Sequence, residues 1–138
     1  MDKLINKVLK IAKKSQNKCD FPVAAIIFKD DKIISYGYNK RKCSNKVTDH
    51  AEIIAIEKAN KKLHSWRLIG YNMLVTLEPC EMCKTVIKES RISNIYYLIK
   101  RYDYKKQYQK TNIQQLTTDN KNVENYKAAI MHFFDNKR

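Results

Sequence analysis

Apolar positions recur at helical spacing from the start of the chain: Leu4, Ile5, Val8, Leu9 and Ala12 fall on one face of residues 3–14, lysines surround them, and Asp2 can cap the beginning. The period then changes. Residues 21–28 are apolar and rich in Val, Ile and Ala, Lys29-Asp30-Asp31-Lys32 offers turn chemistry, and residues 33–38 form a second β-like run, so the pattern predicts a hairpin. Residues 39–48 are polar and basic and read as a loop. Residues 49–62 have helical composition, with Ile53, Ile54 and Ile56 available to a core. Residues 73–77 read as a strand. Pro79 suits the first turn of a helix, in which Met82, Cys83, Val86 and Ile87 recur at helical spacing. A further strand is expected at 95–99 and a terminal helix at 123–134, with Tyr126, Ile130, Phe133 and Phe134 as its buried stripe.

Strands and helices in this order predict an α/β fold, a three-layer α/β/α sandwich around a central mixed sheet. The chain has 138 residues, and no repeat, low-complexity tract or linker divides it, so residues 1–138 are expected to form a single domain. No apolar run is long enough to span a membrane. The basic first helix has two uses open to it, a membrane surface or a sheet, and its short, lysine-studded stripe is more simply explained by a sheet.

Charge changes the picture only in part. Lys and Arg number 28 against 14 acidic residues, a net charge of +14 that favours a polyanion such as nucleic acid. Yet 23 of the 28 cations are Lys, and solvated lysine faces also serve solubility. Charge alone leaves both explanations standing. Cys19 and Cys43 have no partner at a recognisable spacing and are expected to be a core thiol and a loop thiol. Nothing at the N-terminus resembles a secretory signal, which leads to the expectation of a reducing cytoplasm.

Candidate chemistry is concentrated in two short motifs. Pro79-Cys80-Glu81-Met82-Cys83 puts two thiols three residues apart at a helix start, where both can grip one metal and the helix N-terminus favours thiolates. A lone Cys-x-x-Cys also fits a redox pair or half a structural zinc knuckle. His50-Ala51-Glu52 opens the preceding helix, and His50 with Cys80 and Cys83 makes three ligands, leaving the fourth tetrahedral position of a zinc ion for water. Glu52 beside that position can take a proton and deliver it elsewhere. Each residue taken alone has a bland explanation, but two motifs at two helix starts point jointly to a catalytic zinc.

These residues resemble the cytidine deaminase-like superfamily, with its His-x-Glu and Pro-Cys-x-x-Cys signature. Phe21-Pro22-Val23, Gly37-Tyr38-Asn39, Arg67-Leu68, Val75-Thr76-Leu77-Glu78 and Ser90-Arg91-Ile92 extend the likeness to the bacterial tRNA adenosine deaminases over roughly residues 21–97. The resemblance implies one Zn2+ per chain, water as co-substrate and Glu52 as proton shuttle. It implies hydrolysis of wobble adenosine in a tRNA anticodon to inosine, substrate contact by Asn39, and a homodimer holding the RNA. Relatives that deaminate a free base, nucleoside or nucleotide, such as guanine or a cytosine derivative, share the same zinc site. A non-catalytic zinc module that binds nucleic acid is the third alternative, and Glu52 beside an open position argues against it.

The chain departs from the family pattern in three places. Asp49 stands where a small residue such as Ala is usual, as a helix cap or as a carboxylate against the base or its sugar. Leu98-Ile99-Lys100-Arg101 replaces a Gly-Ala pair followed by Asp, and the C-terminal region, which helps grip RNA in the family, is short and divergent. Residues 101–110 interleave cations with Tyr102, Tyr104 and Tyr108, a composition equally suited to RNA contact and to a solvated connection.

Overall fold

The computed structural model describes residues 1–17, 20–101 and 110–136. Cys19 and most of the tyrosine-rich segment of 101–110 lie outside the described residues. The chain divides into two compact units, Met1–Tyr104 and Lys105–Arg138.

In the first unit, helix α1 (Asp2–Asn17) leads to a hairpin of β1 (Ala24–Lys29) and β2 (Lys32–Tyr38). Its two-residue turn places Asp30 at φ 49° and Asp31 at φ 63°, left-handed geometry that suits the right-handed twist of the strands and that Asp tolerates. The strand begins later than the apolar run at residue 21 suggested. Pro22 lacks a ladder donor, and Phe21 stays exposed.

After the hairpin come a one-turn helix α2 (Arg41–Ser44), α3 (Ala51–Leu63), β3 (Asn72–Leu77), α4 (Glu81–Glu89) and β4 (Asn94–Ile99). Helix α2 falls where a plain loop was expected. The Asp20 carboxylate accepts from the Lys42 and Cys43 backbone N–H groups, satisfying donors that a short helix leaves open. Burial works to raise the Asp20 carboxyl, but the bonds from Cys43 and Lys42 outweigh it and the net shift is downward.

The sheet order is β2-β1-β3-β4, antiparallel through β2, β1 and β3 and parallel between β3 and β4. Helices cover both faces, as the expected α/β/α sandwich requires. Period-2 geometry sends alternate residues to opposite cores. Ala24, Ile26, Phe28 and Leu74 meet Leu4, Val8, Ile11 and Ala12 of α1, whereas Ala25, Ile27, Met73 and Val75 meet the α3 and α4 side. The buried stripe of α1 therefore runs Leu4, Val8, Ile11, Ala12 and Ser15. Leu9, assigned to that stripe from sequence, is exposed, because the 3.6-residue period carries it off the face that Ile11 joins.

Small residues bring α3 close to the sheet. Ala51, Ala55 and Ala59, four residues apart, are fully buried, and Ser35 Oγ donates to the Ala55 carbonyl at 2.7 Å. A Cβ at Gly37 would lie 2.4 Å from the Ala51 carbonyl oxygen and 2.8 Å from the Ala55 nitrogen. Glycine is thus required in β2 for space.

In the second unit, α5 (Lys121–Asp135) is capped by the Asn120 side chain, which accepts from Asn122 N–H at 2.9 Å. The helix forms as predicted, but its stripe is not buried: Tyr126, Phe133 and Phe134 are exposed. Among the described residues of this unit there is no second helix or strand to receive it.

Gly37→Ala should cost about 3 kcal/mol by overpacking against the α3 backbone, and lower Tm by roughly 10 °C. Thermal unfolding of the purified variant checks this, and an unchanged Tm would show that α3 can move away freely.

Candidate metal centre

The two motifs meet where two helices begin. His50 is the N-cap of α3 and Cys80 the N-cap of α4, both in extended conformation, with Cys83 in the first turn of α4. Pro79 consequently precedes the helix instead of occupying its first turn, because Cys80 has to remain extended to face His50. His50 Nδ1 lies 3.4 Å from Cys83 Sγ and 3.7 Å from Cys80 Sγ, and the three donor atoms all fall within 4.8 Å of one another. Zn–S bonds of about 2.3 Å and Zn–N bonds of about 2.0 Å at tetrahedral angles separate S from N by about 3.5 Å, so the trio fits zinc without rearrangement. Among the described residues no fourth His, Cys, Asp or Glu joins the cluster.

Electrostatics also call for a cation. The two helix N-termini favour negative charge at the trio, and both thiols are buried. Cys83 is hydrogen-bonded with Cys80, buried, and beside the Glu52 charge, and together these push its thiol far above the usual thiol range. A divalent cation removes the conflict by neutralising the thiolates.

Glu52, in the first turn of α3, is 3% exposed. Burial raises its carboxyl above the ordinary range, against the lowering influence of its own backbone N–H, the Cys83 thiol and the His50 charge. The structure therefore places a buried acid against one ligand of the trio while leaving it outside the trio.

Two supports were not singled out from sequence for this purpose. Glu78 ties the approach to Cys80 to the end of β4. Its carboxylate accepts from Lys84 Nζ and from Arg101 N–H, both at 3.2 Å, and its backbone N–H donates to the Ile99 carbonyl at 2.8 Å. The Lys84 hydrogen bond chiefly holds the Glu78 carboxyl below its usual range. Thr76 Oγ1 accepts from Ala24 N–H across β3 and β1. In the sequence Thr76 reads as part of a strand and Glu78 only as part of the family likeness, and the cross-chain partners give them these roles. The departing sequence 98–101 thus includes Arg101, a fastener of the Glu78 turn, whose Nε also donates to the Glu78 carbonyl.

Asn39 follows β2. Its Oδ1 accepts from Arg41 N–H at 3.2 Å and its Nδ2 donates to the Phe21 carbonyl at 3.4 Å, the local bonding of a turn residue. The next residue, Lys40, donates its N–H to the Asp49 carbonyl at 3.0 Å, which fixes the Asn39 turn to the residue preceding His50. Asp49 itself is half-buried and His50, not Asp49, is the N-cap.

Metal analysis of the purified chain should give one zinc per chain, and Cys83→Ser should abolish it. Binding displaces the protons of both thiols, that of Cys83 being held with raised affinity, so zinc affinity should climb with pH, by up to about a hundredfold per unit while two thiol protons are released. Competition with a chelator between pH 6 and 8 measures the slope, and a flat profile would mean that the thiols are not the ligands.

The family described as the cytidine and deoxycytidylate deaminase zinc-binding region matches residues 1–99. A tRNA-specific adenosine deaminase of Streptococcus pyogenes serotype M18 is 41% identical over 93 residues, covering 67% of this chain and 58% of the relative. The chain thus spans little more than half the length of that relative. Among solved structures, one from work on A-to-I editing by tRNA:A34 deaminases at the wobble position is 34% identical with TM-score 0.68, over 70% of this chain and 75% of the other. Guanine deaminase from Bacillus subtilis is 25% identical with TM-score 0.77, over 92% of this chain and 91% of the other. With the family's match running across both motifs and the His/Cys/Cys trio assembled at two helix starts, the chain belongs to the zinc-binding cytidine and deoxycytidylate deaminase family.

Proposed function

We propose that this chain is a hydrolytic deaminase that converts adenosine to inosine at the wobble position of a tRNA anticodon, with His50, Cys80 and Cys83 as zinc ligands. The observation that carries the proposal is the buried Glu52 carboxyl set against a three-donor metal cluster that among the described residues has no fourth protein ligand. Support for the substrate comes from the name of the 41% identical streptococcal relative. Bound zinc supplies an activated water at neutral pH.

The chain's own residues would supply proton transfer and positioning. Glu52 would relay the two protons of the attacking water in turn, the first to the ring nitrogen and the second to the departing amino group. Carbon 6 of the base thereby exchanges its amino group for oxygen, and ammonia leaves. An elevated carboxyl suits that exchange, since it holds a proton more readily near neutral pH than an exposed Glu does. Asn39 has one Nδ2 hydrogen engaged by the Phe21 carbonyl, leaving the second to donate to an acceptor on the base. His50 holds its position as N-cap, and the Lys40–Asp49 backbone bond keeps Asn39 in register with it.

The acting species in this proposal is a homodimer, the assembly implied by the resemblance, working in the cytoplasm. No described helix is long and apolar enough to cross a membrane. A second reading, hydrolysis of a free base such as guanine, is favoured by one observation: the Bacillus guanine deaminase aligns over 92% of this chain.

Zinc-loaded protein should form inosine in an anticodon stem-loop bearing a wobble adenosine and leave guanine, adenosine, cytidine and cytosine unchanged. Glu52→Ala should lower the rate by about 10²- to 10⁴-fold while retaining zinc. Ammonia release with the small molecules alone would move the substrate to a free base, and full activity in Glu52→Ala would remove that residue from the chemistry.

A further inference from the structure

The outer edge of the sheet carries a second concentration of charge, away from the metal centre. Lys3, Lys7, Lys10 and Lys14 recur at intervals of four, three and four along α1, so they form one row down the helix. Lys58 and Lys62, one turn apart, form a second row on the last half of α3. Strand β2, at the edge of the sheet, lies between the two rows.

The rows border a continuous groove. One depression is lined by Lys7, Ile33, Tyr36, Lys58 and Lys62 among others, and an adjoining one by Lys3, Lys7, Lys10 and Asp31, so that Lys7 and Ile33 belong to both. Tyr36 links the sides of the groove: Lys14 Nζ lies 5.2 Å and Lys58 Nζ 4.9 Å from its ring centroid. Lys62 Nζ donates to the Ile34 carbonyl of the strand edge at 3.2 Å. Asp31 is the one acid in the lining, and the ion pairs among the described residues involve other cations, Lys84 and Arg91.

We infer that this groove is a docking track for the phosphate backbone of RNA, separate from the metal centre. The row from Lys3 to Lys14 is about 16 Å long, enough to face several successive phosphates of one strand. Charge complementarity selects the occupant. A second copy pairing through β2 would bring two such lysine rows together, an arrangement that charged edge residues oppose. A lipid surface would need an apolar face to insert, but Leu4, Val8, Ile11 and Ala12 of α1 are already buried against the sheet, and Leu9 is the one large apolar side chain that α1 exposes. The choice of RNA over DNA rests on the tRNA proposal above; the track does not.

The test measures affinity of the zinc-loaded full chain for a fluorescent tRNA by anisotropy across a salt series, with no turnover needed. One variant carries Lys7→Gln, Lys14→Gln, Lys58→Gln and Lys62→Gln. A control of equal net charge carries Lys13→Gln, Lys42→Gln, Lys88→Gln and Lys121→Gln. The track variant should bind at least about tenfold more weakly, and its plot of log affinity against log salt should be shallower by about three. The control should stay within about twofold of the parent protein, and both variants should keep the parent's circular dichroism spectrum. Equal losses in the two variants would reduce the effect to net charge and overturn the track, as would unchanged tRNA binding by the track variant. Intact tRNA binding with lost binding to phosphatidylserine vesicles would assign the groove to lipid instead. A track-specific loss in a protein that makes no inosine would refute the tRNA-editing proposal and leave the track standing.

Discussion

Everything at the metal centre depends on how closely α3 lies against the sheet. His50 can face Cys80 and Cys83 only if the start of α3 is held at a fixed height over β2, and that height is set by contacts between backbones. Gly37 leaves no Cβ between the strand and Ala51 or Ala55, and Ser35 bonds the Ala55 carbonyl. Packing of this density does not yield gradually, because interiors have few voids to absorb a displaced atom. A methyl group at Gly37 would therefore act on the His50 end of the trio through the helix, without touching a ligand.

The second helix is held by different means. Helix α4 begins at the end of β3, and the connecting Glu78 turn is fastened by Lys84, Arg101 and the Ile99 carbonyl. One helix is thus positioned by close packing with a hydrogen bond from Ser35, and the other by hydrogen bonds and the Glu78–Lys84 ion pair. Their N-termini converge, and the positive ends of both helices favour the thiolates that burial and neighbouring groups resist. A divalent cation is the group that satisfies both demands, which gives a physical reason for these donors to sit together in a chain of this family.

The two sides of the sheet have separate tasks. Toward α3 and α4 the side chains build the core beneath the metal trio, and toward α1 they build an apolar layer that leaves the lysine-rich side of that helix, with Leu9, to solvent. Along β2, Lys7, Lys58 and Lys62 border a groove with aromatic and aliphatic walls, an arrangement suited to following a backbone of phosphates.

Much of this was legible along the chain. Alternation and helical spacing marked the hairpin, the three long helices of the sandwich and both remaining strands, since burial imposes periods of 2 and 3.6 on side chains wherever one face meets a core. The His50, Cys80 and Cys83 trio was legible too, because metal chemistry demands particular donors at helix starts and the motifs are short. What the sequence could not determine was anything set by partners distant along the chain. Leu9 and Ile11 both fit a helical stripe, and only the docking angle of α1 buried Ile11 and exposed Leu9. Asn39 acquired its bond to Phe21, Gly37 its clearance and Arg101 its hold on Glu78 from residues 14 to 23 positions away. The stripe of α5 has helical periodicity, but periodicity names a face and not what covers it. The two lysine rows are separated by more than forty residues in sequence and become one groove only when β2 lies between their helices, because sheet order, unlike a helical period, is decided by contacts between segments that no local pattern records.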